Sequence, residues 1–135
     1  MKGSRERATT AKSTGDRPSA TRSGEYCPDA GDLIWIDLDP TKGHEQNKRR
    51  PAIVLSPITY NDRSGLCIAC PITSRAKGFR FEVPIPPGSK IGGVVLADQA
   101  RSLSWLERRA ELIETAPDDV LQETRDKLAT LIGID

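Results

Sequence analysis

Beyond residue 25 the chain breaks into short apolar blocks separated by polar, Gly- or Pro-containing segments, and these blocks predict strands. Leu33-Ile34-Trp35-Ile36-Asp37-Leu38 is a β-rich run that Asp39-Pro40 stops. A polar loop over residues 39–51 ends in Lys48-Arg49-Arg50-Pro51, and Ala52-Ile53-Val54-Leu55 is the second strand. Ser56-Pro57 and Tyr60-Asn61-Asp62-Arg63-Ser64-Gly65 mark a turn with room for one helical turn. Leu66 to Ile72 is a third strand, and Thr73 to Gly78 a second polar loop. Phe79, Phe81, Val83 and Ile85 alternate with Arg80, Glu82 and Pro84, the pattern of a half-buried strand in which Pro84 favours an edge or an end. Gly93 to Ala97 is a fifth strand and Ala110 to Ile113 a sixth.

The period then changes. Thr115 or Ala116 can cap a helix with Pro117 at its first position, and Asp118 and Asp119 suit the positive end of its dipole. Val120, Leu121, Thr124, Leu128, Leu131 and Ile132 recur at helical spacing, and Gly133 stands where a terminating glycine belongs. Strands followed by one amphipathic helix predict a mainly β (α+β) fold, a small curled sheet or barrel with the helix at its C-terminal end. Residues 1–25 hold no Val, Ile, Leu, Phe or Trp. Such a segment cannot bury enough surface to offset its ordering entropy, so residues 1–26 are expected to be a disordered tail and residues 27–135 the folded domain.

Composition narrows the function classes. The formal net charge of +1 is uninformative, but its distribution is not. Residues 1–26 carry six basic groups against three acidic, residues 27–109 twelve against nine, and residues 110–135 two against seven. A basic body with an acidic end can present one face to a polyanion. Three cysteines, an odd number, do not suggest an extracellular disulfide framework. In the predicted strand 66–72, Cys67 and Cys70 face opposite sides, so this C-x-x-C reads as core and not as a zinc clasp. No apolar run reaches membrane length and no signal-peptide core follows the N-terminus, so a cytoplasmic protein is expected.

Chemistry-bearing residues fall in the two loops. One offers Gly43-His44-Glu45-Gln46 and Arg49-Arg50-Pro51, the other Thr73-Ser74-Arg75-Ala76-Lys77-Gly78. A carboxylate, a guanidinium and a hydroxyl brought together suit phosphate chemistry, because arginine matches phosphoryl oxygens with a fork of donors. A salt-bridged loop without catalytic role has the same composition. The acids are scattered, no phosphate loop or dinucleotide fingerprint is present, and no metal or cofactor is expected.

Ordered motifs carry the reading further. Gly31-Asp32-Leu33-Ile34-Trp35-Ile36-Asp37-Leu38-Asp39-Pro40-Thr41-Lys42-Gly43-His44-Glu45-Gln46 resembles the N-terminal signature of the MazF/PemK toxins. At that family's spacing follow Arg50-Pro51-Ala52-Ile53-Val54-Leu55-Ser56-Pro57 and Tyr60-Asn61, then Cys70-Pro71-Ile72-Thr73-Ser74, then Gly93 to Gln99 with Arg101-Ser102. The resemblance spans about residues 27–135 in order; the tail has no counterpart in compact family members. It implies an SH3-like barrel, a homodimer, and metal-independent cleavage of single-stranded RNA at a short sequence. It also implies a cognate antitoxin whose disordered tail covers the site. Arg50 and Thr73 match the family's catalytic pair and Glu45 an acid acting with them. His44 matches a histidine of the plasmid-borne branch. Asp98 matches an acid also proposed as catalytic there, although Leu96 stands where that branch has Arg.

Metal-free RNA cleavage uses the adjacent 2′-hydroxyl and needs a base, an acid and stabilisation of the charged phosphorane. Arg50 is the stabiliser, and Thr73 would hold a non-bridging oxygen. An arginine pKa lies far above neutrality, so Glu45 is preferred as base, with His44 second and Arg50 itself the family's usual alternative. Gln46, Lys77 and Gln99 are expected RNA contacts. A non-cleaving SH3-like binding module or a gyrase-targeting toxin on the same fold is the rival expectation.

Overall fold

The computed structural model describes residues 26–38 and 49–134; His44, Glu45 and Gln46, and all of the expected tail except Tyr26, lie outside the described residues. Strand β1 (Asp32–Asp37) sends Leu33 to one side and Ile34 and Ile36 to the other, as alternation requires. It pairs antiparallel with β2 (Arg49–Val54), which pairs in turn with β3 (Leu66–Thr73). Two apolar clusters result. One gathers Leu33, Ile53, Cys70, Ile72, Val83 and Val95; the other gathers Ile34, Ile36, Ala52, Val54, Cys67 and Leu103. Burying an aliphatic side chain of this size stabilises the fold by about 1.5–3 kcal/mol, so the two-sided alternation of β1 to β3 carries much of the core. Cys67 and Cys70 fall in different clusters, and burial, helped by Cys27 and Asp98 respectively, pushes both thiols up to about 12.

Helix α1 (Ile58–Ser64) fills the predicted turn and ends on Gly65 at a φ of 76°. Its Asn61 is fully buried; the side-chain amide donates to the Pro28 and Ser56 carbonyls, and its Oδ1 accepts the Ser56 hydroxyl at 2.6 Å. The Trp105 indole donates to the Asn61 carbonyl at 2.8 Å. One buried side chain thus joins the N-terminal segment and α1 to Ser56 after β2, whose hydroxyl in turn accepts the Ile68 N–H of β3 at 2.8 Å.

Strands β4 (Glu82–Pro84), β5 (Val94–Leu96), β6 (Arg101–Ser104) and β7 (Glu111–Thr115) complete the sheet, in the order β4-β5-β3-β2-β1-β7. β5 and β6 follow one another along β3, separated by a single 3₁₀ turn at Ala97–Gln99. β6 was not predicted, because Arg101-Ser102-Leu103-Ser104 has one apolar residue in four. Three expectations need correction. The terminal strands β4 and β7 do not pair, so the curled sheet is not closed into a barrel. The predicted strand from Phe79 is strand only from Glu82, with Phe79 64% exposed. The loop assigned to residues 39–51 ends earlier, since Arg49, Arg50 and Pro51 already pair with Asp37, Ile36 and Trp35. Backbone hydrogen bonding to β1 outweighs their polarity.

Helix α2 (Asp118–Leu131) lies against the first cluster through Val120, Leu121 and Leu128. Pro117 is the cap residue and not the first helical residue, so the helix starts one position later than predicted, and Gly133 ends it at a φ of 85°. Leu131 and Ile132, counted on the apolar stripe, are exposed beyond the sheet.

Candidate active site

Register brings the two sequence segments together. β2 pairs with β3 through Ala52↔Pro71, Ile53↔Cys70 and Val54↔Ala69; continued two residues further, the same register sets Arg50 opposite Thr73. Both line a groove of about 700 Å³ whose other walls include Trp35, Arg49, Ser74 and Arg75. A second groove, of about 290 Å³, shares Thr73 and Arg75 with the first and is lined further by Lys77, Phe79, Asp98 and Gln99. Five expected site residues, Arg50, Thr73, Lys77, Asp98 and Gln99, therefore lie along one continuous surface centred on Thr73. Where Glu45, His44 and Gln46 stand relative to it is outside the described residues.

Thr73 is held from three sides. Its Oγ1 accepts the Arg75 backbone N–H at 3.1 Å, which fixes the hydroxyl and leaves its hydrogen to donate. Its backbone pairs with Val94. Behind it Gly93 sits at a φ of 113°, and a side-chain carbon there would overlap the Thr73 carbonyl. This position accepts only glycine, for reasons of both backbone angle and space.

The loop after Thr73 is anchored by Glu82, a buried residue whose carboxylate accepts the backbone N–H groups of Lys77 and Gly78 at 3.0–3.2 Å. Charge-assisted bonds of this kind are among the stronger ones. Lys127 of α2 reaches the Arg80 carbonyl at 2.6 Å, tying the same segment to the helix. The loop's cations, Arg75 and Lys77, are thereby held beside Thr73 without a salt bridge to any described residue.

The neighbouring arginine has a different environment. Arg49 donates to Asp37 at 3.1 Å and Glu111 at 3.0 Å, and Arg109 donates to Asp37 at 2.9 Å. Burial alone would raise the Asp37 pKa, but Arg109 and Arg49 outweigh it and hold the carboxyl below the usual aspartate value. Arg50 is exposed to the groove and donates to the Arg49 carbonyl at 3.2 Å. Both members of the double-arginine motif thus line the groove, but only Arg49 is engaged there by Asp37 and Glu111, a difference that sequence alone did not show.

Sequence reasoning missed Trp35 and Phe79 as groove residues and offered Arg75 only as a member of its loop. Trp35 carried a signal: in an otherwise aliphatic alternating strand, a tryptophan left 38% exposed lines the groove opposite Pro51. Among the described residues no cluster of three or more His, Cys, Asp or Glu is placed to hold a metal ion. The arrangement can grip a phosphodiester, since guanidinium and hydroxyl donors line one open groove.

Known proteins share this architecture. The family model described as PemK-like, MazF-like toxin of type II toxin-antitoxin system matches residues 29–132. The endoribonuclease toxin MazF of Escherichia coli strain K12 is 48% identical over 108 residues, covering 80% of this chain and 96% of that relative. The crystal structure of MazF (form I) from Deinococcus radiodurans is 56% identical with a TM-score of 0.75, covering 82% of this chain and 100% of that one. A MazE–MazF crystal structure (form II) from the same organism is 51% identical with a TM-score of 0.74, at the same coverage.

Proposed function

This chain belongs to the PemK-like, MazF-like toxin family of type II toxin–antitoxin systems, and from that premise we propose that its Arg50–Thr73 groove cleaves single-stranded RNA. It is an endoribonuclease toxin that arrests translation by cutting messenger RNA, and a cognate antitoxin of the MazE kind neutralises it. The working unit is a homodimer in the cytoplasm, with residues 27–135 as the toxin domain and residues 1–26 as a basic tail. No helix among the described residues is long and apolar enough to cross a membrane.

In the proposed reaction the 2′-hydroxyl 5′ of the scissile phosphate loses its proton to Glu45. Its oxygen bonds to phosphorus, the P–O5′ bond breaks, and O5′ takes up a proton supplied by the Arg50 guanidinium, which solvent then reprotonates. The products are a 2′,3′-cyclic phosphate and a 5′-hydroxyl. Arg50 faces the charge that builds on the phosphorane, and the Thr73 hydroxyl donates to a non-bridging oxygen. His44 is the second choice of base. Asp98 lies in the groove beyond Thr73, with Lys77 and Gln99, and is better placed to contact a neighbouring nucleotide than the phosphate held at Arg50. The observation that carries this reading is the single groove that Arg50 and Thr73 line together.

The test is cleavage of a long RNA in excess EDTA, repeated with a 2′-deoxy sugar 5′ of the mapped cut. Discrete fragments with cyclic-phosphate ends are expected from RNA and none from the deoxy substrate. Loss of cleavage in EDTA with recovery in magnesium, or cutting of the deoxy substrate, would remove the 2′-hydroxyl mechanism. Arg50→Ala is expected to lower the rate by roughly 10²–10³ with the fold intact.

A further inference from the structure

The end of β1 and the start of β2 are both tied to one turn, residues 105–110. The Arg108 guanidinium donates to the Asp37 and Leu38 carbonyls at 3.1 and 2.8 Å, and the Arg108 carbonyl accepts the Asp37 N–H at 3.0 Å. Arg109, at a φ of 56°, turns its side chain onto Asp37 while its own carbonyl accepts from Arg49. A non-glycine residue with such a φ is uncommon and persists where surrounding contacts hold it. Arg49 is thus fixed by four acceptors: Asp37, Glu111, and the Arg109 and Trp35 carbonyls. Its side chain is only 15% exposed, whereas that of Arg109 is 50% exposed.

Arg50 is the next residue. Successive strand residues project to opposite faces, so an Arg49 held on Asp37 commits Arg50 to the opposite direction. The Arg50 guanidinium also donates to the Arg49 carbonyl, so its aim depends on how that peptide is set.

We propose that Asp37, Arg49 and Arg109 are positioning residues for RNA cleavage: the cluster fixes the start of β2 and thereby the aim of the Arg50 guanidinium. This rests on the reading of Arg50 as the group that meets the phosphate. None of the three touches the reacting atoms; they act through Arg50. A displacement on the order of 1 Å at a reacting group can cost about 10²-fold in rate, so loosening the cluster lowers kcat and leaves KM little changed.

The experiment compares Asp37→Asn and Arg109→Gln in the full chain, each checked for native near-UV circular dichroism. Arg109→Gln is the milder change, since it leaves the Asp37–Arg49 pair in place. Two readouts are taken: single-turnover RNA cleavage, and the Nε–H resonance of Arg50 in ¹⁵N-labelled protein, assigned with Arg50→Lys. Both variants are expected to shift or broaden the Arg50 resonance while that of Arg63, on α1, stays put. They are expected to lower kcat roughly 10- to 100-fold with KM within about twofold, and to add little to the loss already present in Arg50→Ala. An unmoved Arg50 resonance overturns the proposal, as does a rise in KM with kcat intact, or a kcat loss that persists undiminished in the Arg50→Ala background. If the unaltered protein cleaves no RNA, the functional reading fails by itself, and the Arg50 resonance still decides the positioning.

Discussion

Gly93→Ala places one methyl group directly behind Thr73 and is the sharpest probe of how the groove is built. The added carbon would overlap the Thr73 carbonyl oxygen and press on the Thr73 carbonyl carbon and the Ser74 Cα, the last at 3.0 Å. These are backbone atoms, so no side-chain rotation relieves the clash. The Gly93 carbonyl also accepts the Ile85 N–H at 3.0 Å, and Val94 pairs with Thr73, so neither strand can retreat without breaking ladder bonds. Overpacking a settled core costs about 1–3 kcal/mol, and holding a side-chain-bearing residue at a φ of 113° adds about 1–3 kcal/mol. The sum, roughly 2–6 kcal/mol, is a large share of the 5–15 kcal/mol that stabilises an ordinary domain. Urea denaturation is expected to show that loss, with an unchanged slope if unfolding stays two-state. Where the variant remains folded, Thr73 must have shifted, and cleavage of a fluorogenic RNA should fall by about 10²-fold with the smaller change in KM. A variant within about 0.5 kcal/mol of the natural protein and equally active would refute the close approach of these two strands.

Three further outcomes follow from the same geometry. Asp37 ionises in the folded chain below its ordinary value of 3.8, so its charge stabilises the fold fully above that value, and the contribution disappears as pH falls through the folded pKa. Asp37→Asn should therefore lower stability at neutral pH and flatten the acid fall in thermal midpoint below about pH 5; parallel curves for the two proteins would contradict this. Asn61→Ala removes three buried hydrogen bonds and strands the Pro28 and Ser56 carbonyls. It should cost about 3–5 kcal/mol in denaturant, and a cost below about 1 kcal/mol would show those carbonyls finding other donors. Cys67 and Cys70, buried thiols pushed up to about 12, should resist a thiol reagent at pH 8 until the chain unfolds; rapid labelling in native buffer would show the core opening locally.

The parts of this protein legible in its sequence are those where local pattern and global burial demand the same thing. β1, β2 and β3 alternate because a sheet with apolar layers on both sides needs it, and α2 follows a 3.6-residue period because one stripe must meet that sheet. The opposed sides of Cys67 and Cys70 follow from the two-residue period alone. The resemblance of ordered motifs pointed to Arg50 and Thr73, but motifs hold no distances. Only the tertiary structure, through the β2–β3 register, brought them to one groove.

Tertiary structure also decided whatever depends on a partner distant in sequence. Arg101-Ser102-Leu103-Ser104 is strand because the open edge of β3 offers it hydrogen bonds, not because its own residues favour one. Arg49 to Pro51 extend β2 because β1 reaches back to pair with them. Phe79 leaves the strand its alternation predicted, while Glu82, on the nominally polar side of that alternation, is buried because two backbone N–H groups need its carboxylate. Sheet closure was equally beyond sequence: whether β4 meets β7 depends on accumulated twist across the strands between them, and here the two do not pair. Of two adjacent arginines, chemistry is identical in sequence; the Asp37–Arg109 cluster, assembled from residues more than seventy positions apart, pins Arg49 at the groove wall while Arg50 beside it is exposed to the groove.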